Sequence, residues 1–117
     1  MQTIPQRRAP DFIARRKAFR ASALSAIAGS VNDTGDLPGE WAERYREDAP
    51  VYTVLSYSTP IAWVTSSGEA VLPGLRYSVT TSRHQHHAAS GLGLSFYCIP
   101  DEGRAVPHRS YGPRVGW

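Results

Sequence analysis

Val51-Tyr52-Thr53-Val54-Leu55-Ser56-Tyr57-Ser58-Thr59-Pro60-Ile61-Ala62-Trp63-Val64 is the stretch on which the fold turns. β-Branched and aromatic residues dominate it, and Val51, Thr53, Leu55 and Tyr57 fall on one face at the two-residue period of a strand. Pro60 has no N–H to give a ladder, so it is admitted only at an edge, a bulge or a strand start. Thr59-Pro60 therefore separates a strand over 51–57 from a second over 61–64. Downstream, Ser66-Ser67-Gly68 turns the chain into 69–72, and Pro73-Gly74 turns it again into 76–80. Tight turns between short strands imply an antiparallel meander of roughly three to five strands.

On either side the period changes. Ser82-Arg83-His84-Gln85 has the S-x-x-Q spacing of a capping box, which predicts a short helix from Arg83 that stops by Gly91 or Gly93. Residues 94–99 read as a final strand. Towards the N-terminus, Asp11 reads as an N-cap, with Phe12, Ile13, Arg16, Phe19 and Ala23 near one helical face. The alanines that follow favour extending this helix to Gly29. Residues 29–48 form a loop-rich acidic insertion, in which 40–48 predicts one or two helical turns around Trp41 and Tyr45. The expectation is one α+β domain over 11–100, with a flexible basic arm at 1–10 and an extended Pro/Gly/Arg-rich tail at 101–117.

Composition narrows the class. At 117 residues with 41% apolar content, the chain supports one modest core. It holds no apolar run long enough to span a bilayer, and no secretory leader is read in it. A single cysteine, Cys98, closes no internal disulfide and fits a reducing cytoplasm. The net charge of +3 hides a segregation. Residues 1–20 carry six basic side chains against one acid, residues 21–60 two arginines against six acids, and residues 61–117 five arginines against three acids.

The runs Ser56-Tyr57-Ser58-Thr59-Pro60-Ile61-Ala62-Trp63 and Tyr77-Ser78-Val79-Thr80-Thr81-Ser82-Arg83-His84-Gln85, with Phe19-Arg20-Ala21-Ser22-Ala23-Leu24-Ser25-Ala26, also carry a resemblance. Over 19–26 and 51–90 the chain resembles a family of small proteins of actinobacterial phages and related mobile elements, classed as a domain of unknown function. The resemblance implies an origin, with the cytoplasm of a bacterial host as location, and no activity. The family pattern has a Gly-Asn pair where this chain has Ala21 between Arg20 and Ser22, and it lacks the acidic insertion. Twelve arginines against one lysine point to a GC-rich coding genome, in keeping with that origin.

The densest chemistry lies at Thr80-Thr81-Ser82-Arg83-His84, read as a strand-to-helix junction. A helix N-terminus offers free N–H groups and positive partial charge to an anion, and Arg83 adds a bidentate phosphate donor. Arg76 and the basic residues Arg16 and Arg20, an i, i+4 pair on the expected helix, would add backbone contacts. Tyr57 and Tyr77 would offer stacking surfaces if exposed, although the commoner outcome for Tyr57 and Trp63 is a place in the core with their polar tips bonded. The competing readings are that Ser82 and Gln85 only cap a helix, and that the basic arm pairs with residues 33–48.

His84, His86 and His87 cluster, but they give no three convergent ligands and no zinc-site spacing, so no metal and no cofactor are expected. Phosphate-loop, nucleophile-elbow and dinucleotide motifs are missing, and His84 with Arg83 lacks a second acid–base group, so catalysis is not expected. These readings lead to a non-catalytic accessory protein that binds nucleic acid. The alternatives are a host-takeover or anti-defence module that docks on a bacterial protein, and a binder of a small phosphorylated ligand; a homodimer is compatible with each.

Overall fold

A computed structural model describes residues 1–75 and 78–94. Six strands form one mixed sheet whose spatial order follows the sequence: β1 (Gln2–Thr3), β2 (Phe19–Ala21), β3 (Leu24–Ala28), β4 (Tyr52–Ser56), β5 (Thr59–Val64) and β6 (Ala70–Val71). β1 pairs parallel to β2 and every later pair is antiparallel. The α+β class stands. The sheet is larger than expected and not purely antiparallel, because the stretch expected as a mobile arm is built into it: β1 pairs with β2 and Ile4 is buried in the core.

Three helices cover the sheet. α1 (Ala9–Ala14) is the crossover between β1 and β2, α2 (Gly39–Glu47) lies in the β3–β4 connection, and α3 (Val79–Leu92) follows β6. Alternation along the strands decides what each face buries. Phe19, Ala21, Leu24, Ala26, Tyr52, Val54, Ala62 and Val64 meet Phe12 and Ile13 of α1 and Ala88 and Ala89 of α3. On the other face Trp63 and Val71 meet Trp41, Ala42 and Tyr45 of α2. The sheet is thus a central layer between α1/α3 and α2.

Trp63 is the core residue that a small domain needs. Tyr45 and Trp41 meet it edge-on at 4.9 and 6.1 Å between ring centres, and its Nε1–H donates to Asp48 at 2.9 Å. The helical turns expected around Trp41 and Tyr45 are α2. Pro60 sits at a bulge: Leu55 pairs with Pro60 and Val54 with Ala62, leaving Ile61 as the extra residue.

Four expectations change. The helix expected from Asp11 to Gly29 ends at Ala14, and residues 19–28 form the β2–β3 hairpin, turned at Ser22 with φ of 61°. Arg8, not Asp11, is the N-cap, and Asp11 instead pairs with Arg15 at 3.3 Å. α3 begins at Val79, three residues before Ser82, so Val79 and Thr80 are helical rather than the end of a strand. Its N-cap is Ser78, whose Oγ accepts the Thr81 N–H at 3.1 Å, while the Ser82 N–H already bonds to Ser78 O. Gln85 closes no capping box: it is buried and donates to Leu75 O at 3.2 Å. The helix ends at Gly93, which takes the left-handed conformation typical of a helix stop. The expected final strand over 94–99 lies, beyond Leu94, outside the described residues.

Candidate functional site

Three elements meet at His84: the 3₁₀ turn Gln6–Arg8, the first half of α3, and the adjoining ends of β4 and β5. Ser56 is the last residue of β4 and points to the α3 side, opposite Leu24 of β3. Its Oγ lies 2.7 Å from His84 Nδ1 and 3.0 Å from Thr81 Oγ1. Gln6 Nε2 lies 3.4 Å from His84 Nε2 and 3.5 Å from Ala21 O. The Ala21 carbonyl demands a donor, so the Gln6 amide NH₂ faces both atoms and His84 Nε2 accepts. Nδ1–H then donates to Ser56 Oγ, and Ser56 and Thr81 share a hydroxyl–hydroxyl hydrogen bond, with Thr81 Oγ1 also accepting from Ser78 Oγ at 3.2 Å. His84, Ser56 and Thr81 are all buried. Burial first, then the charges of His87 and Arg83, hold the His84 pKa below its ordinary value, in keeping with a neutral ring whose Nε2 accepts.

Around this buried chain the surface is basic. α3 contains no acidic residue and carries Arg83 on its exposed side, with His87 half-buried one turn on. The His87 pKa is lowered by burial and then by its neighbours His86 and Arg83. Arg7 and Arg8 are exposed on the 3₁₀ turn that reaches His84 through Gln6, and the Arg8 guanidinium lies 5.5 Å from the centre of the Phe12 ring. Among the described residues the ion pairs are Asp11–Arg15 and Arg44–Asp48, so neither Arg7 nor Arg83 has a carboxylate partner. Nor does the basic N-terminal segment pair with residues 33–48. Glu40, Glu43, Glu47 and Asp48 lie on α2 or at its C-cap, and α2 covers the opposite face of the sheet, whereas the loop that carries Asp33 and Asp36 reaches the β4–β5 connection, where the Asp36 N–H donates to Thr59 Oγ1 at 2.9 Å.

The structure divides the residues singled out in the sequence. Thr80 and Arg83 are exposed and Ser82 is half-buried on α3. Thr81 and His84 are buried in the hydrogen-bond chain and do not present themselves to a phosphate. Arg16 does not align with Arg20 on a helix. It follows the end of α1 at φ of 56°, and its Nη1 donates to Ile13 O at 2.9 Å, which caps that helix. Arg16 also acts on Tyr52, at the opposite end of β4 from Ser56. Arg20 alternates with buried Phe19 and Ala21 on β2, and so points to the side of the sheet away from α1 and α3. Tyr57 is 63% exposed rather than core. Arg76 and Tyr77 lie outside the described residues, as do Cys98 and His108.

Gln6 was not legible as a partner of His84: the two are 78 residues apart, and only the charge of Arg7 and Arg8 marked the segment. Ser78 carried a local signal, a serine three residues before Thr81. Among the described residues no group of three or more His, Cys, Asp or Glu is placed to hold a metal, and no pocket encloses a small ligand. No helix of the described residues is long and apolar enough to cross a membrane.

No curated protein and no solved structure matches the chain. A family model does match, over residues 13–95, which runs from the last two residues of α1 through the end of α3 and takes in most of the chain. The chain belongs to that family, DUF8033, a family of unknown function.

Proposed function

We propose that this is an accessory protein of a phage or mobile element that binds nucleic acid through its phosphate backbone, without catalysis, in the cytoplasm of a bacterial host. One observation carries the reading: Arg7 and Arg8, on the 3₁₀ turn that reaches His84 through Gln6, and Arg83, on α3, are exposed and have no carboxylate partner among the described residues. A face with uncompensated arginines attracts polyanions, and each neutralised phosphate releases counterions. Thr80 and Ser82 add hydroxyl donors on the same helix. Arg20 and Arg16 leave the contact set.

The buried chain supports a non-catalytic role. A serine activated by histidine needs an unprotonated ring nitrogen facing its hydroxyl. Here the nitrogen that faces Ser56 carries the proton, because the other accepts from the Gln6 amide, and so it has no lone pair with which to take the hydroxyl proton. Neither group reaches solvent.

The test is binding of the purified protein to labelled DNA across a salt series, beside Arg83→Ala and Arg7→Ala/Arg8→Ala variants. The expected result is binding that falls steeply with salt. Each arginine lost should reduce the slope of log K against log salt by about 0.9 on duplex and about 0.7 on a single strand. Binding absent at low salt, or with a slope unchanged in the variants, would overturn the proposal.

A further inference from the structure

Tyr57 occupies a conformation that its neighbours do not require. Tyr57-Ser58 is a two-residue connection between β4 and β5, since Ser56 pairs directly with Thr59. Tyr57 sits there at φ of 58°, the left-handed region. A bulky L-residue costs roughly 1–2 kcal/mol there, and glycine or asparagine fills such positions with less strain. The cost is not returned by burial, because the side chain is 63% exposed. The neighbouring tip, Ser22-Ala23 between β2 and β3, has the same length and the same left-handed first residue, at φ of 61°, and it uses a small polar side chain. The Tyr57 N–H bonds to Ala23 O at 2.7 Å, so the backbone of the tip is held whatever its side chain.

The tyrosine ring is centred 6.2 Å from the His84 ring, tilted by 47°, beside the helix that carries Arg83. Val79, 78% exposed, begins the same helix. An outward aromatic beside a helix that carries an exposed arginine is an arrangement by which proteins hold unpaired nucleobases: the ring stacks on the base while the cation follows the backbone. Duplex DNA keeps its base faces inside the stack and offers such a ring nothing.

We infer that Tyr57 is a stacking platform for an unpaired base, so that the ligand of the basic face is single-stranded nucleic acid. The inference rests on the phosphate-binding reading above.

The experiment compares fluorescence anisotropy on an oligothymidine single strand and on a duplex of equal length, for wild type, Tyr57→Gly, Tyr57→Trp and Arg83→Ala. Tyr57→Gly relieves the left-handed conformation, so a melting temperature no lower than wild type shows the tip intact. Expected are single-strand preference in the wild type, roughly tenfold weaker single-strand binding in Tyr57→Gly with duplex binding unchanged, and retention in Tyr57→Trp. Arg83→Ala should weaken both ligands. Equal affinity of Tyr57→Gly and wild type for the single strand overturns the stacking role and leaves the phosphate reading intact. That outcome would turn Tyr57 towards a protein partner. A wild type that binds neither ligand overturns both.

Discussion

Each face of the sheet holds one buried chain of hydrogen bonds, and the two chains differ in kind. On the α2 side the Val31 N–H donates to Tyr45 Oη, Tyr45 to Thr53 Oγ1, and Thr53 to Gly29 O, at 2.9, 2.8 and 2.8 Å. It starts and ends on backbone, so the first stretch of the acidic insertion is tied to β4 by hydroxyl and peptide groups, with no imidazole or carboxylate among them. On the α3 side the chain runs from Gln6 through His84 and Ser56 to Thr81, and its centre is an imidazole. The packing around the chains differs as well. Three aromatic rings meet edge-on beneath α2, whereas α1 and α3 approach closely at a glycine. One side therefore rests on aromatic volume and a chain of hydroxyls and backbone, the other on small residues and a chain centred on an imidazole.

The largest expected effect breaks the small-residue side. A Cβ added at Gly91 would stand 2.5 Å from Ile13 Cβ and 2.8 Å from Pro10 O. Neither is the end of a flexible side chain, so α1 would have to move off α3. Overpacking of this kind outweighs the gain of about 1 kcal/mol that alanine brings to a helix interior. Gly91→Ala should lose about 3 kcal/mol, read as a lower denaturation midpoint in urea at unchanged slope. An unchanged midpoint would mean that the two helices are not locked together at this point.

The next effect tests the opposite side. Tyr45→Phe keeps the ring against Trp63 but removes the hydroxyl, leaving the Val31 N–H and the Thr53 hydroxyl each short of a partner in a buried or half-buried place. Such a loss costs about 2 kcal/mol. It should be the same at every pH between about 5 and 7.5, because that chain contains no imidazole or carboxylate. A cost that varied across that range would show the two faces to be coupled.

How far the sequence disclosed this architecture depended on whether a residue's partner was local. β4, the Pro60 bulge and the α2 turns around Trp41 and Tyr45 were readable because alternation, a missing N–H and a four-residue aromatic spacing act within a few positions. The β2–β3 hairpin was not. Ala21, Ala23, Ala26 and Ala28 favour a helix by propensity, but pairing of β3 with strands on both sides overrides that preference. A Gly-Asn pair at this place would have marked the turn that Ser22 makes, but Ala21-Ser22 carries no such local signal. β1 has two residues and thus no period to detect. The start of α3 was read one turn late because Ser82-x-x-Gln85 imitates a cap, while Gln85 is buried beside Leu75. The exposed arginines of the candidate site were visible as charge. The chain beneath them joins residues 6, 56, 81 and 84 and exists only in three dimensions.

The smallest expected effect separates the two faces by acid. The folded-state pKa of His84 is depressed by burial and by the charges of His87 and Arg83, and that of His87 by burial and by His86 and Arg83. A histidine held neutral in the native state binds protons more readily when unfolded, so stability is full above the unfolded value near 6.5 and falls as the pH drops below it. Each such histidine contributes a slope of at most about 1.4 kcal/mol per pH unit. The groups facing His84 are Gln6 from the 3₁₀ turn, Ser56 and Tyr57 from the β4–β5 connection, and Thr81, Arg83 and His87 from its own helix. None is a carboxylate that would reward protonation. A protonated His84 would present a second N–H to the Gln6 amide, turning an acceptor into a clash of donors. Urea midpoints of the wild type should therefore hold steady above about pH 6.5 and decline towards pH 5, roughly. His84→Gln, whatever its own cost, should keep only the slope due to His87. Gly91→Ala should leave the slope as it was. An unaltered slope in His84→Gln would move the titration off the α3 chain and remove the contrast in pH response between the two faces.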